Sequence, residues 1–537
     1  MNRISRLFLG FVVTLAVQTI AFGQGNPCPR YSAGSTVQNP PALYSQNGSL
    51  TVNLSYNTTT DSAGRQLYCF TTSNGVESPT LHVHPGDHLI VNVKNNLPKA
   101  TSAGAMQMNT NASTVCGASM MDASSVNIHY HGTNVSPACH SDEVIHTLIN
   151  SGDTFTYNIA FPTDEPPGLY WYHPHVHGIA EVVVQGGASG AIVVDGIENL
   201  QPSVADVPER VLIVRDQTVA GKPTPGGPIP SWDLTLNYIP IAYPALTPAV
   251  IRMEKGEQEF WRVLNASADT ILDLQVLYDG TPQTLFLVAL DGVPVGSQDG
   301  THQSMLIPVT HMRLPPASRM EFLVSGPSGN VKSATFVTQA ISTGPNGDND
   351  TARTIAKIVA GDDSSGGDIL PRVSGAPWKP RFKDLETATV TAQRKLYFSE
   401  SADQTQFFIT VDGQTPVVFS ATLPPAVVTT QGSVEDWTIE NRAMENHEFH
   451  FHQIHFLVQS QNNFQVNGSQ PVAAIQGQMM DMIEIPYWDG NPAHPYPNVK
   501  VRMDFRGPDV GDFVYHCHIL NHEDQGMMAI IRVLPPG

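Results

Sequence analysis

Three stretches of the chain share one pattern of apolar and polar positions. "PGDHLIVNVKNN", "KGEQEFWRVLNAS" and "QGSVEDWTIENRA" each leave a turn glycine, alternate apolar with polar side chains, and reach an asparagine. Gly86 to Asn95, Gly256 to Asn265 and Gly432 to Asn441 are nine steps each, and the glycines lie 170 and 176 residues apart. Alternation sends successive side chains to opposite faces, so each stretch predicts a half-buried β-strand. Recurrence at domain spacing predicts three copies of one module, an all-β chain of three β-sandwich domains. The expected domains are 24–198, 205–362 and 385–537, with linkers near "DGIENLQPSVADVP" and "GDDSSGGDILPRVSGAPWKP".

Composition agrees with short strands and turns. Of 537 residues only 14% are charged, while Gly and Pro number 43 and 42. A net charge of -20 argues against nucleic acid or an anionic membrane as partner and favours neutral or cationic small molecules. The start, "MNRISRLFLGFVVTLAVQTIAFGQ", has Arg3 and Arg6 before an apolar run, then small residues around Phe22. That predicts a secretory signal over 1–23, cut after Gly23 and leaving no membrane anchor. The expected product is a secreted or periplasmic monomer. Five cysteines fit an oxidising compartment: Cys28, Cys69, Cys116 and Cys139 cluster early, and Cys517 stands alone. Four cysteines allow three pairings; Cys28–Cys69 with Cys116–Cys139 is preferred, and the sequence leaves the others open.

Aligning the copies exposes the chemistry. The third carries "HEFHFH" (His447, His450, His452), and "NIHYH" in the first places His129 and His131 opposite His450 and His452. The second copy has Leu274 and Val276 there, so it is expected to bind no metal. Near the module's end, "GLYWYHPHVHGI" and "GDFVYHCHILNH" align His173 and His175 with His516 and His518. In a strand, residues two apart point the same way, so each H-x-H aims two imidazoles at one place. Four such pairs supply eight imidazoles, too many for one ion and suited to a cluster of about three shared between the first and third domains.

Imidazole alone does not choose the metal, but Cys517 does. It points away from His516 and His518, toward a face where His447 and His522 can join it. Two His, one thiolate and a weak axial Met, here Met527, make a blue-copper set. One strand would thus carry a copper on each face, with electrons passing from Cys517 to His516 and His518. Zinc would leave both the thiolate and Met527 unexplained.

"NIHYHG", "YWYHPHVHG", "HEFHFH" and "HCHILNHEDQGMM" resemble the four copper signatures of the three-domain multicopper oxidases, laccases among them. The resemblance covers essentially the whole mature chain. It implies Greek-key cupredoxin domains and about four coppers, with O₂ reduced to water. Carried over by position, it makes type 1 His447, Cys517, His522 and Met527, and type 2 His129 and His450. The type 3 pair would take His131, His173, His175, His452, His516 and His518. It also implies a small reducing substrate: a phenol or aromatic amine, with a metal ion such as Cu(I) as the alternative. An electron-transfer protein without O₂ turnover would leave the eight cluster histidines unexplained.

O₂ reduction consumes protons, so an acid beside the cluster is expected. Glu523, next to His522, and Asp142, after His131, are the candidates, with Glu143 an open alternative to Asp142. His82 and His84 match no ligand of the third copy and are assigned to structure, as are His177 and His455. A loop with Met106, Met108, Met120 and Met121 is assigned to packing or surface, with Cu(I) binding the alternative.

Overall fold

The computed structural model describes residues 26–99, 116–117, 120–219, 227–296, 304–361, 379–464 and 472–537. The expected signal segment, Met106, Met108 and most of the second linker lie outside these residues. Apart from one two-stranded pair, the strands among the described residues form six sheets, two from each third of the chain. The result is three cupredoxin-like β-sandwiches.

The repeat read from the sequence is a repeat in space. Its three copies are the strands His88–Asn95, Gln258–Asn265 and Val434–Asn441. Each has a parallel neighbour on one side: Ser49–Thr60, Glu209–Thr218 and Ala392–Glu400 in turn. Each has an antiparallel neighbour on the other: Thr154–Ala160, Arg319–Ser325 and Asn498–Asp504. Parallel pairing of strands that are not linked by a hairpin closes each sheet with crossover connections.

The terminal asparagines explain why each copy ends where it does. Asn95, Asn265 and Asn441 are fully buried. Their Nδ2 groups donate to carbonyls of crossing loops: Ser124 and Ile149, Thr270 and Leu314, and Glu445, Ile485 and Pro486. Their Oδ1 atoms accept from the N–H two residues on, at Leu97, Ser267 and Ala443. A buried amide with donor and acceptor both used pins the loop that leads to the next strand.

The same alternation fills the cores. Leu50, Val52, Leu54, Leu89, Val91 and Val93 pack the first sandwich. Leu274 and Val276, at the H-x-H position of the middle one, are fully buried beside Trp261 and Phe336. Disulfides join Cys28 to Cys69 and Cys116 to Cys139, leaving Cys517 free and buried. No described helix is long and apolar enough to cross a membrane.

Candidate metal centre

The histidine strands lie side by side within each sandwich. His129–His131 runs antiparallel to Gly168–His173 and places His129 opposite His173. In the third sandwich His447–Phe451 runs antiparallel to Gly511–Cys517, with His450 opposite His516 and Phe449 opposite Cys517. The two halves then meet face to face. His129 stacks on His452 at 3.8 Å between ring centres, and His131 stacks on His450 at 3.9 Å. His129, His131, His173, His175, His450, His452, His516 and His518 are all buried at this junction.

Hydrogen bonds at the outer nitrogens fix which nitrogen faces inward. His129 Nδ1 meets Asp142 at 2.9 Å, His173 Nδ1 the carbonyl of Pro174, His450 Nδ1 the carbonyl of Asp481, and His516 Nδ1 the carbonyl of Cys517. A ring that donates from Nδ1 presents an Nε2 lone pair to the centre. His131 is turned the other way: its Nε2 meets Asp481 at 3.2 Å, so Nδ1 faces inward.

The inward atoms test whether a cation fits. Nε2 of His129, His173 and His450 and Nδ1 of His131 are buried with no hydrogen-bond partner. Nε2 of His516 lies 3.1 Å from Nε2 of both His175 and His452. Burial, reinforced by the neighbouring imidazoles, drives these rings neutral and holds His516 down to about 3. Converging lone pairs on neutral rings repel unless a cation sits among them. The donor set therefore fits a metal cluster.

Cys517 serves the opposite face of its strand. Its Sγ lies 3.7 Å from Nδ1 of His447 and 3.7 Å from Nδ1 of His522, and the Glu448 N–H points to it at 3.4 Å. Burial alone would raise the thiol, but hydrogen bonding and charge from both imidazoles outweigh it and bring it down to about 6. The site is thus prepared for a thiolate. Met527 is buried in the same apolar cluster, and its carbonyl accepts the Cys517 N–H at 3.0 Å. Phe407 stacks on His522 at 4.3 Å, walling one side.

Of the acids expected from sequence, Asp142 reaches the cluster through His129 and also accepts the Tyr130 N–H and Gln453 Nε2. Glu143 instead accepts from the His146 N–H and the Thr147 hydroxyl. Glu523 is fully buried with both oxygens unpartnered, 3.9 Å from His175 Nδ1. Burial first, then the charges of Asp524 and Cys517, keep its carboxyl protonated well above the usual range. His82 pairs with Asp195 and His84 with Asp87, away from the cluster. His177 packs edge-on against Phe419, and His455 meets the Asp291 carbonyl.

Three acids escaped the sequence reading. Asp481 touches His131 directly, and Glu400 and Glu445 face the outer Nε2 atoms of His447 and His522 at 3.4 and 3.3 Å. An acid set between methionines in the largely apolar run "GQMMDMIEI" was the one available hint for Asp481; nothing local marks Glu400 and Glu445.

Comparison with known proteins agrees with this geometry. Family models described as multicopper oxidase match residues 105–199 and 389–537. A multicopper oxidase of Staphylococcus aureus is 23% identical over 456 residues, covering 85% of this chain and 81% of that protein. Among solved structures, the McoA multicopper oxidase of Aquifex aeolicus superposes with a TM-score of 0.66 at 18% identity, covering 94% of this chain and all of that one. A multicopper oxidase of Campylobacter jejuni, described as a metallo-oxidase, gives 0.64 at 20% identity, covering 94% and 96%. The chain belongs to the multicopper oxidase family, the copper-dependent oxidoreductases with O₂ as acceptor.

Proposed function

We propose that this chain is an exported, laccase-like oxidase that takes single electrons from phenols or aromatic amines and delivers four to O₂. One strand carries the proposal: Cys517 joins His447 and His522 on one face, while His516 and His518 join six further histidines on the other. In this reading His447, Cys517, His522 and Met527 hold type 1 copper, and His129 and His450 hold type 2. His131, His173, His175, His452, His516 and His518 hold the type 3 pair, for about four coppers per chain. The domains are 24–198, 205–362 and 385–537, the middle one copper-free because Leu274 and Val276 fill its ligand positions.

Copper, when bound, supplies the one-electron redox chemistry and the reduction of O₂. The protein's own groups do the rest. His447 and His522 turn their outer edges toward the donor, and Cys517 links that site to the cluster within a few covalent bonds. Oxidising a neutral phenol by one electron leaves an acidic radical, and Glu400 or Glu445 is placed to take its proton. Glu523 holds a proton beside His175, and Asp142 orients His129. Burial of every cluster imidazole keeps bulk water out. Two disulfides in the first sandwich support export to an oxidising compartment.

The carboxylates facing both outer histidine nitrogens also favour a second reading, oxidation of a metal cation such as Cu(I) or Mn(II). The deciding measurement is O₂ uptake by copper-loaded protein with a phenol, an aromatic amine, Cu(I) and Mn(II) side by side. Turnover of the organic donors with inert metal ions supports the first reading, the reverse supports the second, and no O₂ uptake with any donor sinks both.

A further inference from the structure

The middle sandwich binds none of the cluster histidines, yet one of its side chains ties both halves of the cluster together. Arg319 lies on the strand Arg319–Ser325 and is fully buried. All five of its N–H groups have acceptors, and those acceptors come from all three sandwiches. Nε donates to the Leu169 carbonyl of the first at 3.1 Å. Nη1 donates to the Ala317 carbonyl at 3.1 Å and Nη2 to the Asp291 carbonyl at 2.9 Å, both in the second. The remaining two N–H groups take the two carboxylate oxygens of Asp481 in the third, at 2.8 and 2.5 Å. A planar fork satisfied at every position has one orientation, and it imposes that orientation on its partner carboxylate.

Asp481 is where this reaches the cluster. The oxygen that Nη1 holds also meets His131 Nε2 at 3.2 Å, and the Asp481 carbonyl accepts His450 Nδ1 at 2.9 Å. Leu169 belongs to the strand that ends in His173, and its N–H donates to Glu321, a second residue of the arginine's own strand. Asp291 in turn accepts the Met482 N–H, next to Asp481. The fit is close: a Cβ on Gly132, just after His131, would stand 2.2 Å from Arg319 Nη2.

We propose that Arg319 is a positioning residue of the histidine cluster, acting through Asp481 to hold His131 with Nδ1 inward and to fix the first half against the third. His131 needs such a device because it presents Nδ1, where His129, His173, His450 and His516 present Nε2. With the guanidinium gone, the carboxylate and the imidazole are free to rotate together, and the inward nitrogen is no longer specified. The middle sandwich is then part of the catalytic apparatus and more than a spacer.

The inference rests on the copper assignment proposed above, which the parent protein's copper number and blue band test separately. Arg319→Met keeps the bulk and removes the fork. Its type 1 absorption per chain should match the parent, while bound copper after dialysis should fall by up to about three per chain, the cluster's share. Arg319→Lys keeps a point charge that cannot span both oxygens. It should retain more copper but show an altered type 2 EPR hyperfine splitting, because Asp481 also holds the type 2 ligand His450 through its carbonyl. Arg210→Met is the control: that arginine is equally buried in the middle sandwich but pairs with Glu259, away from the histidines. Its loss should lower stability and leave the cluster copper and EPR unchanged. Parent copper number and parent EPR in both Arg319 variants would overturn the proposal. So would an Arg210→Met variant that loses as much cluster copper as Arg319→Met. Should Arg319→Met not fold, the Arg319→Lys EPR decides alone, a parent spectrum counting against.

Discussion

At the scale of the residue, the histidines that the fold gathers were legible, and of their acidic partners Asp142 was, while Asp481, Glu400 and Glu445 were not. H-x-H declares itself because period two is a local rule, and Cys517 stands out as a lone thiol between two histidines. Asp481 meets His131 across 350 positions and Arg319 meets Asp481 across 162, separations at which no local pattern survives. Cys517 leads to a direct prediction. Thiolate-to-copper charge transfer gives the blue colour, and this thiol is held in reach of His447 and His522. Cys517→Ser should therefore be colourless and lose about one copper per chain; a variant that stays blue would remove the type 1 assignment. Glu523 leads to a second. It is buried, unpartnered and kept protonated, next to His175 but outside the thiolate site. Glu523→Gln keeps the shape without the transferable proton. Anaerobic bleaching of the blue band by a donor should run at the parent rate, and reoxidation by O₂ should slow on the order of 100-fold. Reoxidation at the parent rate across pH would make Glu523 a bystander and leave Asp142 as the better candidate.

At the scale of the element, the sequence carried the most. Turn glycine, alternating run and terminal asparagine mark the same strand three times, because the strand needs a left-handed turn at one end and a buried amide at the other. Gly86, Gly256 and Gly432 all have positive φ, at 91°, 70° and 96°. What alternation could not convey was which strands pair, since the parallel neighbours come from distant segments. The asparagines allow a test of this element's energetics apart from copper. Asn265 donates to Thr270 and Leu314 carbonyls and accepts the Ser267 N–H, all in the copper-free sandwich. Asn265→Ala strands three buried backbone groups and should cost on the order of 2–4 kcal/mol. Chemical denaturation followed by intrinsic fluorescence, with Trp261 as the sandwich's buried reporter, measures it. The blue band of the folded variant should be unchanged, and a variant as stable as the parent would show these bonds to be redundant.

At the scale of the whole molecule, the junctions between the sandwiches carry buried charge as well as apolar contact, and the buried charge makes stability depend on pH. Between the first and third sandwiches, Arg381 serves three acids: Asp164 at 3.0 Å, Asp509 at 3.6 Å, and Glu165 by charge alone. One guanidinium, shared with the partly exposed Asp164, cannot offset the two buried carboxylates of Glu165 and Asp509. Burial lifts Glu165 to about 7 and Asp509 to about 7, with Arg381 pulling both down only in part. Asp524, which accepts the N–H groups of Gly178, Ala180 and Glu181 across the same junction, is likewise lifted by burial to about 7. Each group holds its proton more tightly folded than unfolded, so folding takes up protons between the ordinary carboxylate range and about pH 7. Stability from these groups is complete below their unfolded values, is lost as pH rises through the folded ones, and then levels off. The share of stability from these acids should therefore be greater at pH 5 than at pH 8. That is opposite in sign to the share of the buried cluster imidazoles, which stay neutral in the fold and take up protons only on unfolding. The acid share is isolated by comparing copper-free parent with a copper-free variant at both pH values, because the contribution of the ligand imidazoles is common to the two. Glu165→Gln keeps an oxygen for the Asn134 N–H but has no proton to lose, so the gap between pH 5 and pH 8 should shift in favour of pH 8, through a higher denaturation midpoint there than the parent's. A gap equal to the parent's would mean that Arg381 already neutralises Glu165, and that the junction is no more acid-dependent than the exposed surface.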